Sequence, residues 1–175
     1  MKVRDIERLL AANGIGKSKM DTVTRRLREA KKLSVAARGA NAPEATVIEA
    51  VKVLVATAGS SKGVAADRRW NVLKGLRSER DHKTSLRRRL HGLLKDRNEL
   101  SEVREVRVAR NAREASICFD DGSVERFLMK EPRDYSSRLK VEGVIPVRLL
   151  QTLFEQLQKV EPVPAAIPDR EEEDD

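Results

Sequence analysis

Residues 20–33 read MDTVTRRLREAKKL, and the spacing of their apolar positions governs how the rest of the chain is read. Met20, Val23, Leu27 and Ala30 recur at intervals of three and four, which gathers them into one stripe of a helix. Thr22, Arg25, Arg26 and Arg28 are left on the outer surface. Ser18 followed three residues later by Asp21 fits a capping box, so the helix is predicted to run from Lys19 to Lys32. Upstream, Asp5 to Ala12 supplies a short amphipathic segment with Ile6, Leu9 and Leu10 inward, and Asn13-Gly14-Ile15-Gly16 supplies a glycine-containing turn. Two helices across a tight turn, the second strongly basic, make an arrangement suited to a DNA groove. An ordinary amphipathic surface helix with a solvated basic face carries the same pattern.

Charge separates these readings only in part. The chain's net charge of +8 divides into −6 over residues 161–175 and +14 over residues 1–160. A body so basic attracts polyanions through counterion release, and residues 1–40 alone hold eleven basic side chains against four acidic ones. The expected partner is double-stranded DNA. Its contacts are expected from Lys17, Lys19, Thr22, Arg25, Arg26, Arg28 and Arg38. Lys19, Thr22 and Arg25 would face the groove, with Arg25 placed to pair bidentately with guanine and Thr22 to touch a thymine methyl; Arg26 and Arg28 would flank it toward phosphates. Leu33 to Ala42 forms either a minimal wing, with Arg38 on backbone or minor groove, or a plain loop.

The run IERLLAANGIGKSKMDTVTRRLREAKKLSVAARG, residues 6–39, resembles the helix-turn-helix and wing of winged-helix DNA-binding domains, among them those of phage regulators and phage small terminases. The following RGANAPEAT, residues 38–46, looks like a stretch of prophage proteins without an assigned activity. The resemblance covers about a quarter of the chain. It implies either a transcriptional regulator of phage or prophage type or a DNA-packaging subunit; a structural phage protein meeting DNA without sequence preference is a third possibility.

Beyond this stretch, Pro43 and a Thr46–Glu49 capping box start a helix, apolar nearly all round, that is expected to be buried. It closes a helix-turn-helix unit over residues 1–58. After the break at Gly59-Ser60-Ser61-Lys62-Gly63, helices over Val64–Arg77 and Lys83–Arg97 predict a basic helical hairpin over 62–100, either an oligomerisation device (dimer or ring) or a second nucleic-acid surface. Trp70 sits at core spacing in it. From Ser101 the apolar period falls to two, outlining strands at Val103–Val108, Ala115–Phe119 and Val124–Leu128, with Asp120-Asp121-Gly122 as a hairpin turn. Glu131 to Val144 reads as irregular. A helix from Pro146 to Val160 is expected to cover this meander and to complete a 101–160 segment available to a protein partner. The fold class is therefore α+β. Pro162, Pro164 and Pro168 and the EEEDD end predict a disordered acidic tail over 161–175, which either competes with DNA for the basic surface or simply solubilises the chain.

No catalytic, cofactor or metal site is expected. His82 and His91 are nine apart, off one helical face, with no ligand partner at metal spacing, and the chain has no phosphate-binding glycine loop and no nucleophile elbow. Cys118 is expected to face outward on its strand, without a placed histidine. A lone cysteine, a mixed-charge start at Met1–Asp5 and a longest apolar stretch (Val47–Ala58) well short of the ~20 residues of a membrane span together predict a cytoplasmic protein.

Overall fold

The computed structural model describes residues 1–34, 43–61, 65–129 and 141–159 and gives an α+β architecture. Its elements run α1 (Val3–Ala12), α2 (Lys17–Glu29), α3 (Val47–Gly59), α4 (Ala66–Lys74), β1 (Arg77–Ser78), α5 (Leu86–Leu93), α6 (Arg97–Ser101), β2 (Val103–Ala109), β3 (Glu114–Phe119), β4 (Val124–Leu128), β5 (Glu142–Pro146) and α7 (Val147–Gln158). The wing candidate with Arg38 and the acidic tail 161–175 lie outside the described residues.

α1 and α2 bury the stripes read from their periods: Ile6 and Leu10 on one, Met20, Val23 and Leu27 on the other. The Ser18–Asp21 capping box does not form. α2 starts at Lys17, behind Gly16, and Ser18 lies inside it with its carbonyl accepting from the Thr22 hydroxyl at 2.8 Å. The turn is tight because Gly14 takes φ +86° and the Ile15 amide returns to the Leu10 carbonyl at 3.1 Å, tucking Ile15 against the core. Helical geometry resumes at once.

α3 is the element around which the others pack. Its Thr46 cap forms as predicted, with the Glu49 amide donating to Thr46 Oγ1 at 3.2 Å and the Thr46 amide to Glu49 Oε2 at 3.1 Å. All its residues but Ile48 and Lys52 are buried, and it touches α1, α2, α4, α5, β2 and β5. Glu49 is buried too. Its carboxylate also accepts from the Ser34 amide at 2.6 Å, tying the chain after α2 to the start of α3.

The sheet is antiparallel throughout, in the order β1-β4-β3-β2-β5. β2, β3 and β4 are the expected meander, turned at Gly122 with φ +86°. Val106 pairs with Ile117 and Val108 with Ala115, so these residues share the buried face with Phe127 and Ile145. Arg107, Ser116, Arg126 and Val144 occupy the other. α7 packs on α6, α1, β2 and β5 through Leu149, Leu150, Leu153 and Leu157, with Val147 and Phe154 only half-buried. One apolar cluster runs from Met1 to Leu157, so the three segments read from the sequence share a core that includes Trp70.

Three further expectations need correction. The long helical hairpin over 62–100 is replaced by short helices, because Arg77–Ser78 leave the helix after Gly75 and join the sheet edge opposite Leu128 and Phe127. A closed turn makes this possible: the Leu86 amide reaches the Leu76 carbonyl at 3.0 Å, and Asp81 accepts from the Thr84 hydroxyl and from the Thr84 and Lys83 amides. Those hydrogen bonds, the Thr84 hydroxyl first, lower the Asp81 pKa to about 2. Next, Glu142–Pro146 form an edge strand where irregular chain is expected. Finally, Cys118 is buried, although it sits on the face opposite Ile117.

Two glycines predict opposite outcomes. A Cβ on Gly143 would lie 2.7 Å from the Ala58 carbonyl carbon and 2.9 Å from its Cα, backbone that cannot give way. Gly143→Ala should cost about 3 kcal/mol or more in urea unfolding. Gly92, in the interior of α5 with nothing within 4 Å, should gain about 0.5–1 kcal/mol on Gly92→Ala. Glu49 gives a pH test. Burial raises its pKa, but the Ser34 and Thr46 hydrogen bonds and the Lys52 charge outweigh this and hold it below the usual value. Its stabilisation is therefore present above the unfolded carboxylate pKa and lost as pH falls through the lowered one, and Glu49→Gln should flatten the acid limb of a stability–pH curve measured by urea unfolding.

Candidate nucleic-acid interface

The buried stripe of α2 determines what its other side can present. With Met20, Val23, Thr24 and Leu27 packed inward, Lys17, Arg25 and Arg26 stand in solvent. Thr22 is half-exposed, its hydroxyl committed to the Ser18 carbonyl. Arg25 is the most accessible of the α2 arginines, with 65% of its side chain exposed and Nε 3.9 Å from Glu29. Arg26 reaches the same carboxylate at 3.1 Å. Pairs this exposed contribute at most about 1 kcal/mol and are readily exchanged for another anion. Asp21 and Glu29 are exposed on the helix too, so its positive field is weaker than a count of arginines implies.

Two further members of the sequence-derived set are turned into packing. Arg28 is bound to Glu7 of α1 at 3.2 Å, and its Nε is buried without a hydrogen-bond partner. It braces the two helices against each other. Lys19 is half-buried beside Arg110, and burial first, then the Arg110 charge, lowers its pKa. Arg38 falls outside the described residues. The set that the fold brings together in the open is thus Lys17, Thr22, Arg25 and Arg26.

Other guanidiniums have structural roles that no motif signals. Arg69 donates from Nε to the Gly59 carbonyl at 3.2 Å and from Nη2 to the carbonyls of Ala109 and Ala112. Arg110 donates to the Ala58 carbonyl at 3.0 Å. Arg89 is held between Glu99 at 2.7 Å and Glu125 at 3.0 Å, and Arg107 joins Glu105 to Glu142 across the open sheet face. Apart from the Arg107–Glu105 pair on one strand, each of these contacts reaches a residue in another segment, so spacing alone could not assign them.

A cleft between the 78–84 turn and the β3–β4 hairpin gathers Glu79, Asp81, Asp120, Asp121, Arg80 and Arg126. These charges are of both signs and lie on exposed chain. Among the described residues no three His, Cys, Asp or Glu side chains are placed to hold a metal ion, and no helix is long and apolar enough to cross a membrane. No known protein family, curated protein or solved structure matches the chain.

Lys19 gives the local test. Its folded pKa lies below its unfolded one, so its charged form costs stability at neutral pH, and the cost disappears as pH rises through the lowered value. Lys19→Met, which keeps the apolar stem, should match or exceed the parent's stability at pH 7 in urea unfolding. That advantage should close above about pH 10.

Proposed function

We propose that the chain is a non-enzymatic, site-recognising DNA-binding protein, most simply a transcriptional regulator of phage or prophage type, in which α1, the Gly14–Gly16 turn and α2 act as a helix-turn-helix. The observation that carries this reading is the docking of α2: its apolar underside is fully buried while Lys17, Arg25 and Arg26 project outward beside a tight glycine turn. A helix held this way is available to a major groove, and Arg25 is free enough to exchange Glu29 for a guanine edge. Arg28 and Lys19 are given supporting roles. One fixes the angle between the helices and the other lines the flank.

A dimer would present two such helices to a two-fold symmetric site and fix the half-site spacing. A packaging subunit of small-terminase type is the alternative, and it requires a ring. The short α4 and α5, separated by a sheet strand, give less support to a ring-building hairpin than to a regulator's core. Light scattering distinguishes the two by mass.

Selection from a random duplex pool, followed by titration of the enriched sequence, tests the central reading. R25E/R26E should lose about 100-fold or more in affinity for it, the scale expected when bidentate base contacts are reversed in sign. The melting temperature should hardly change, because both side chains lie off the buried stripe. Undiminished affinity in a folded variant, or no enriched sequence at all, would refute the reading.

A further inference from the structure

We propose that the outward face of α5 is a separate binding surface for the phosphate backbone of duplex DNA, independent of sequence and of α2. The helix reads LRRRLHGL, and burial of Leu86, Leu90 and Leu93 leaves Arg87, Arg88, His91 and Gly92 on the outer side. Ser85 caps it, accepting from the Arg88 amide at 3.2 Å. The remaining arginine of the triplet, Arg89, points back to Glu99 and Glu125 and occupies both carboxylates. Arg87 and Arg88 are exposed and enter no ion pair among the described residues, nor do Lys95 and Arg97 just beyond the helix.

This face differs from that of α2. Arg25 and Arg26 lean on Glu29, whereas the only acidic residue between Leu86 and Arg97 is Asp96, whose carboxylate caps α6 by accepting from the Asn98 and Glu99 amides. The charges of Arg87 and Arg88 therefore stand side by side with no ion pair among the described residues. Arg88 and Gly92 lie one turn apart on α5, and Lys95 follows in the turn after the helix. At Gly92, in the middle, no neighbour lies within 4 Å of a Cβ position, so a phosphate–sugar chain can approach the helix backbone directly.

The absence of apolar companions selects the partner. Among the described residues the exposed large hydrophobic ones are Ile48, Val124, Val141 and Val144, none of them on α4, α5 or α6. A membrane-binding helix pairs its cations with an exposed apolar stripe, whereas a polyphosphate needs only the charge. The surface is also rigid. Its helix is anchored in the core, and the turn before it is closed by the Asp81 hydrogen bonds.

The test measures binding of the full-length chain to a labelled 20-base-pair duplex of random sequence between 50 and 300 mM KCl. R87Q/R88Q should weaken binding about tenfold or more at 100 mM and reduce the slope of log K against log salt by about 2, the loss of two phosphate contacts. K95Q/R97Q should act in the same direction, which keeps the test open if one pair fails to fold by circular dichroism. Both variants should retain the parent's ratio of affinities for enriched and random sequence, whereas R25E/R26E should lose that ratio, so failure of the α2 reading and failure of this one have different signatures. An unchanged slope in the folded variants overturns the proposal. So does binding of the parent to phosphatidylserine-containing vesicles in place of the duplex.

Discussion

The C-terminus of α3 is where the helical half and the sheet of this protein are joined. A helix ends with carbonyls that have no partner within it and with the negative end of its dipole. Here Arg110 takes the Ala58 carbonyl and Arg69 the Gly59 carbonyl, and Arg69 extends to Ala109 and Ala112 across the end of β2. Hydrogen bonds from charged donors are worth roughly 1.5–3 kcal/mol each where solvent is partly excluded, and this group holds together the end of α3, α4 and the end of β2. Gly143 lets β5 lie directly against the same helix end. Because α3 also touches α1, α2, α4 and α5, the position of each outer helix depends on this junction.

That constraint divides the arginines into two kinds. Arg28, Arg69, Arg89 and Arg110 are partly buried, and each meets a carboxylate or a carbonyl from another segment, which would lose that donor if the arginine were removed. Arg25, Arg87 and Arg88 stand in solvent, where holding a geometry has little to offset the cost of ordering a long side chain. A count of 36 lysines and arginines therefore overstates the cations available to a partner. What counts for recognition is the part that the fold does not consume.

The sequence discloses those elements whose burial is periodic. Ile6 and Leu10, Met20 to Leu27, Leu86 to Leu94 and the alternation of Val106, Val108, Ala115 and Ile117 each report their inward face, and the Thr46–Glu49 cap marks its helix start to the residue. β1 and β5 are hidden for a physical reason. A two-residue strand has no period, and β5 places a glycine at an inward position because α3 leaves no room for a side chain there. The same contact, absent from any local pattern, explains why Gly143 is required while Gly92 is not. At α2 the serine cap is a plausible local choice overruled by tertiary packing, since seating Ile15 in the core starts the helix two residues early. Lys19 and Arg28 are legible as basic residues but not as packed ones, because Arg110 and Glu7 come from elsewhere in the chain.

A shared core also bears on how two cationic helices would act together. α2 and α5 both rest on α3, and close-packed interiors transmit strain rather than absorb it, so the distance between the two faces is set by the fold and not by a linker. Flexible tethering gives the second contact an effective concentration that falls gradually with linker length; rigid mounting makes it all or none for a given duplex path. A straight duplex that cannot meet both faces would engage one of them, and engaging both would require bending, at a cost of about 1–6 kcal/mol for 40–90° over 20–30 base pairs. In that case selectivity arises at α2 from base edges, while α5 adds affinity that does not depend on sequence.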